Sequence, residues 1–410
     1  MLKQAAHICM RQQILTRFLR IAILLLLAGF LEAAQRPKPA GPADQKRVTS
    51  SNPDRRRVLS AHPLGMYYYY DDSLGLESLS AHAAEMTLLG PQCFFVDADG
   101  TVRGGVSPQV AEIARRAGLP LMPLVVNPGF GRPGASKMLR SAKLRERAVT
   151  YLAYLAKRDN YAGFQLDLEY IDPADKALYT RFVERAAARL HARGRLLSVA
   201  VVPRFSDAYP DRSLTREFHT GEWGAPYDYR ALGRIADFIT LMTYDHHGSA
   251  TPPGPVAGYE WQKAALDYAV MRIPRAKLLL GIPFYGREWV ETPQDTTSSS
   301  LAFKDVKPLL ERPDAKPRWD ERWRTTWLQF REGATQHTAW FDDQRSLREK
   351  LQLMKLYHLR GFAAWRLGVE DPQFWPMAAE FRKKTPASSP GRLAKKRGGA
   401  ASGRPALHSR

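Results

Sequence analysis

Across residues 64–365 the sequence alternates short apolar runs with longer stretches of helical period. The apolar runs fall at 64–70, 92–96, 119–126, 161–170, 196–202, 236–244, 277–285 and 361–365. Helical spacing predicts helices over 78–89, 108–117, 139–159, 176–193, 229–235, 261–271 and 346–357. A chain that repeats strand then helix builds a parallel sheet covered by helices. Two architectures satisfy this, a closed (β/α)8 TIM barrel and an open doubly wound sheet. No Gly-x-Gly-x-x-Gly turn or phosphate loop supports the open sheet. The expectation is therefore an α/β fold, a (β/α)8 barrel, with a small α+β insertion between strand 7 and helix 7.

The insertion is expected at 290–344, where the rhythm breaks. It holds Trp319, Trp323, Trp327, Phe330, Trp340 and Phe341. These rings either wall a cleft or pack the core of the insert itself. The barrel is expected to span 61–382. Ahead of it, Arg11, Arg17 and Arg20 precede an apolar run at 21–31, and 1–34 reads as a signal peptide or N-terminal anchor. That run falls short of the ~20 residues of a spanning helix. Residues 35–60 read as a disordered, Pro-rich linker and 383–410 as a disordered basic tail. The leader implies export to the periplasm or outside the cell, or a tether.

The net charge of +20 belongs mostly to these flanks. Residues 1–57 carry 11 Lys/Arg and 3 Asp/Glu, residues 382–410 carry 9 and none, and the middle keeps only +3. Such flanks suit loose contact with an anionic wall or membrane. Nucleic acid is not expected, because aromatics are not interleaved with the basic residues. Cys9 and Cys93 offer no metal cluster, and His246-His247 is a poor ligand pair, so no metal or cofactor is expected.

Within 161–170, Gln165, Asp167 and Glu169 share one face of a strand while Phe164, Leu166 and Leu168 take the other. Two carboxylates so placed repel each other unless they hold a metal, meet a cation or handle protons. Glu169 falls at the C-terminal end of its strand, where parallel barrels carry catalytic groups. The alternative, an exposed edge strand with solvated acids, conflicts with the apolar second face.

The segment Ala162-Gly163-Phe164-Gln165-Leu166-Asp167-Leu168-Glu169 resembles the fourth-strand Asp-Gly-x-Asp-x-Asp-x-Glu of glycoside hydrolase family 18. Met242-Thr243-Tyr244-Asp245 resembles its sixth strand, Gly281 through Gly286 its seventh, and the run 361–368 with Trp365 its eighth. The likeness covers about 62–381 and is greatest to the bacterial branch of spore-germination and cortex-lytic glycosidases. Trp340-Phe341-Asp342-Asp343 also fits that branch. The resemblance implies cleavage of β-1,4 bonds next to N-acetylglucosamine, in chitin-like glycan or peptidoglycan, by a monomer using substrate-assisted catalysis. It implies Glu169 as acid and base, and Asp167 as the anion that stabilises an oxazolinium. Tyr244 and Asp245 would orient the acetamido group. Gln165, Trp365, Tyr285, Tyr67 and Asn127 are the candidate substrate-binding residues. The family's first two aspartates are Ala162 and Gln165 here. An amide at 165 can hydrogen-bond Asp167 but not take its proton, so Asp167 is expected to stay ionised throughout. The rival reading is a catalytically silent carbohydrate-binding barrel, which would have no need of Glu169.

Overall fold

The computed structural model describes residues 52–208 and 221–383. The expected leader, most of the expected linker, and the tail from 384 onward lie outside the described residues. Among the described residues, no helix is long and apolar enough to cross a membrane.

The strands follow in chain order as β1 (Leu64–Tyr69), β2 (Leu88–Val96), β3 (Val102–Gly104), β4 (Leu124–Val126), β5 (Gly163–Asp167), β6 (Leu196–Val201), β7 (Phe238–Leu241) and β8 (Leu278–Pro283). Next come β9 (Gly286–Glu291), β10 (Thr296–Leu301), β11 (Arg318–Asp320), β12 (Thr325–Glu332) and β13 (Thr335–Phe341), and finally β14 (Gly361–Trp365). The parallel order is β1-β14-β8-β7-β6-β5-β4-β2, and β1 also pairs with β2. That second pairing closes eight strands into the (β/α)8 barrel, with β3 an antiparallel addition on β2. β9 to β13 form a separate antiparallel sheet in the order β10-β9-β13-β12-β11, with the helix Phe303–Leu310 in the same stretch.

Strand alternation divides the core into two layers. Leu64, Met66, Tyr68, Leu88, Leu124, Leu196, Phe238, Leu279 and Ala363 fill the lumen. Tyr67, Tyr69, Phe164, Leu166, Leu168 and Leu280 pack outward against the helices. Burial of both strand faces is what the continuous apolar runs required.

Two boundaries differ from expectation for physical reasons. The helix Pro53–Ser60 lies inside the stretch read as linker. Asn52 caps it by accepting the Asp54 N–H at 3.0 Å, Pro53 starts it, and Val58 is buried in the lumen cluster. Val58 and the exposed Leu59 among arginines gave little periodic signal, yet Val58 is buried in the lumen cluster. The helix expected at 78–89 runs from Ser73 to His82, and β2 begins at Leu88, before Gly90-Pro91. This dipeptide reads as turn punctuation. Here a Cβ on Gly90 would sit 2.7 Å from the Met66 methyl, so glycine gives lumen side chains their space.

Candidate active site

β5 ends at Asp167, and the chain turns out at Glu169 and Tyr170. Asp167 points into the lumen mouth and is 4% exposed, while Glu169 is half-buried at the cleft. Asn127, just past β4, fixes that turn from both sides. It accepts the Glu169 N–H at 2.9 Å and donates its amide to the Glu169 carbonyl at 3.0 Å. Trp223 donates its indole N–H to Glu169 Oε2 at 2.9 Å, and Tyr227 donates to the Leu168 carbonyl at 2.8 Å. Trp223 is also stacked on Tyr170, which adopts a φ of 51°, unusual for a bulky residue. The turn carrying Glu169 is thus held by three residues from two separate segments, Asn127 and the stretch that carries Trp223 and Tyr227.

β7 delivers Tyr244 and Asp245. Tyr244 is 8% exposed, and its ring lies against β8, where a Cβ on Gly281 would approach it to 3.0 Å. Asp245 has a φ of 57° and is open to the cleft. Tyr285, following β8, donates its hydroxyl to Asp245 Oδ1 at 2.5 Å. Trp365 ends β14 half-buried, tilted over Tyr68 at 5.4 Å.

These groups lie near enough to act on one another electrostatically. Burial pushes the Glu169 carboxyl up to about 8, the neighbouring charges of Asp167 and Asp245 add to that, and the Trp223 N–H opposes it. Burial pushes Asp167 up to about 7. Among the described residues its Oδ1 has no hydrogen-bond partner, and no cation is paired with it. Asp167 and Glu169 titrate as a pair, so near neutral pH they hold protons that ordinary carboxyls have lost. Burial raises Tyr244 well above its usual range, and Tyr68, Asp167, Tyr285 and Glu169 add to the effect. Asp245 is raised by the protein crowded around it, while Tyr285 and Arg287 pull it back.

Four expectations need correction. Tyr67 is 0% exposed and faces outward, stacked on Trp375 at 5.3 Å, so it cannot line the cleft. Tyr68, one residue on, faces the lumen. Gln165 is also 0% exposed. It accepts from the Tyr68 hydroxyl at 2.7 Å and donates to Ser198 at 2.9 Å and Thr240 at 3.1 Å. These bonds make it a tie between strands below the site, and none runs to Asp167. Asp167 therefore gains nothing from the amide, and burial, which pushes it up to about 7, keeps its proton on at acid pH instead of leaving it ionised throughout. Asn127 is 2% exposed, with its amide engaged by the Glu169 backbone, so it positions the turn. The sequence reading missed Trp223, which lies between the apolar run 196–202 and the helix expected at 229–235. A lone tryptophan in a polar loop was the signal available.

His246 follows Asp245 and enters an aromatic cluster with Trp261, Trp289, Trp323 and Trp340. It is stacked on Trp261 at 4.7 Å, and neither ring nitrogen has a partner. Burial, with His247 and Arg322 nearby, pushes it down to about 2, so the imidazole is neutral. No group of three or more His, Cys, Asp and Glu among the described residues could hold a metal.

A closed parallel barrel with uncompensated acids at its mouth is the frame of a glycoside hydrolase. The chain belongs to the glycosyl hydrolases family 18, whose model matches residues 95–370. It is 26% identical over 314 residues to "Uncharacterized glycosylase YvbX" of Bacillus subtilis, covering 75% of this chain and 88% of that protein. Among solved structures, the Bacillus megaterium spore cortex-lytic enzyme SleL aligns with a TM-score of 0.69 at 26% identity, covering 77% of this chain and 73% of that one. A chitinase from Chromobacterium violaceum aligns at 0.70 and 28%, covering 80% and 100%. The protein is a family 18-type glycosidase acting on polysaccharide.

Proposed function

We propose that this glycosidase cleaves β-1,4 bonds beside N-acetylglucosamine, with retention, using the substrate's own acetamido oxygen as nucleophile. Glu169 gives its proton to the leaving oxygen as the acetamido oxygen closes on the anomeric carbon. Asp167 accepts the acetamido N–H and, as the anion, offsets the positive charge of the oxazolinium. Tyr244 holds the acetamido oxygen near the anomeric carbon, and Asp245, steadied by Tyr285, orients the group. Glu169 then takes a proton from water, which opens the ring and restores the β configuration. Trp365 offers a flat apolar floor to the sugar.

The observation that carries this reading is the buried, unpartnered Oδ1 of Asp167 beside a carboxyl that keeps its proton up to about 8. A buried acceptor with no protein donor suits an N–H brought by the substrate. The names of the relatives, a spore cortex-lytic enzyme and a chitinase, favour peptidoglycan or chitin-like glycan as the substrate. The test is the first-formed anomer, followed by NMR with chitin oligomers and with peptidoglycan fragments. The β anomer is expected, with no turnover when the reacting sugar lacks its acetyl group. An α product, or cleavage of the deacetylated glycan, would overturn the mechanism.

A further inference from the structure

The near-neutral middle of the chain hides a strong separation of charge. The adjacent outer helices Ala142–Arg158 and Lys176–His191 carry nine lysines and arginines against two glutamates. Beside them, Arg132–Arg140 adds three basic residues and no acid. The two glutamates do not neutralise the face, and Glu146 is itself shared by Arg185 and Arg189.

An aromatic plane sits on this basic wall. Tyr151 and Tyr154 are 41% and 50% exposed, with rings stacked at 5.9 Å and 23°. They lie three apart on one helix, so both present to the same side. Exposed aromatic pairs are uncommon where no partner covers them. Lys143, Arg147 and Arg193 line the same shallow hollow. Among the described residues Lys143 makes no ion pair, Arg147 reaches Asp99 only at 3.4 Å between exposed side chains, and Arg193 bonds a backbone carbonyl. Their charge remains available to a ligand. Helix Ala142–Arg158 buries Leu152 and Leu155 against the barrel, so this hollow is on the outer wall, away from the lumen acids.

We infer that Tyr151 and Tyr154, with Lys143, Arg147 and Arg193, form a second glycan-binding surface that holds an anionic polysaccharide strand outside the catalytic cleft. The stacked rings take the C–H faces of sugars, and the cations take carboxylate substituents along the strand. Polysaccharide is chosen over nucleic acid or lipid because the family acts on polysaccharide. The inference rests on that substrate class and not on the roles given to Glu169 or Asp167. A second hold on an insoluble polymer keeps the cleft at high local substrate concentration.

The experiment compares the full chain with Tyr151→Ala/Tyr154→Ala and Lys143→Glu/Arg147→Glu. Probes are peptide-bearing peptidoglycan sacculi, uncharged chitin, soluble chitin oligomers, anionic phospholipid vesicles and duplex DNA. Sedimentation with sacculi should weaken about five- to tenfold in the tyrosine variant, whose lost contacts are aromatic. The charge variant should lose the salt-sensitive part of sacculus binding while its binding to chitin barely changes. Turnover of soluble oligomers should match the wild type in both. Wild-type sedimentation by both variants, or a parallel fall in oligomer turnover, would overturn the inference. So would a loss confined to anionic vesicles or duplex DNA with sacculus binding intact.

Discussion

Two buried carboxyls in this molecule receive opposite treatment. Asp342, at the end of the inserted sheet, is 2% exposed and ion-paired with Lys350, itself 1% exposed, on the helix Gln344–Leu356. Burial raises its carboxyl, and Lys350 pulls it back. Asp167 is equally deep, has no cation, and adds to the burial that holds Glu169 protonated. The same side chain at the same depth is thus a fastener in one place and a stored reactivity in the other. A counter-ion makes the difference, because an uncompensated buried charge is costly and the group adopts its neutral form instead.

The sharpest break of this contrast is Glu169→Gln. It should lower kcat on chitin oligomers by on the order of 10²–10⁴-fold while leaving the melting temperature unchanged or raised. An unaltered rate would remove Glu169 from the chemistry. Lys350→Met should do the reverse. Stranding Asp342 should cost about 3–5 kcal/mol of stability in chemical denaturation, with kcat per folded molecule kept. Asp167→Asn should reduce kcat by about 10²-fold, the scale of one lost electrostatic contact to developing charge.

The same substitution sharpens a pH effect. Folding raises Asp167 from 3.8 to about 7 and Glu169 from 4.5 to about 8. Between those limits the folded chain holds protons that the unfolded chain has lost. Stability from this pair is therefore full on the acid side and is lost as pH rises through 7 and 8. The denaturation midpoint of wild type should fall more between about pH 5 and pH 8 than that of Asp167→Asn, and parallel slopes would contradict the assignment. The smallest effect belongs to Trp223→Phe. Its N–H favours the charged form of Glu169, so its loss should move the basic limb of the rate profile upward by less than about one unit. A downward shift would show that the indole does not act on this carboxyl.

The barrel was legible because each strand is buried on both faces, which leaves continuous apolar runs that need no long-range knowledge. Alternation alone put Asp167 and Gln165 on the lumen side of β5 and Phe164, Leu166 and Leu168 outside. The same rule gave nothing in β1, where Tyr67 to Tyr70 are identical and parity has no anchor. The working bonds of Gln165, Asn127 and Trp223 span 33 to 97 residues of sequence, so their partners could not be read locally. Helix Pro53–Ser60 stayed hidden because a single valine carries its packing.

The tryptophan cage around His246 has a consequence for how this enzyme answers to acid. An imidazole adjoining working carboxyls is ordinarily the group that switches charge between about pH 5 and 8. Clamped between indoles and denied a hydrogen-bond partner, this one stays silent over that whole span. Acidification therefore puts no new positive charge on the ring that directly follows Asp245 in the chain.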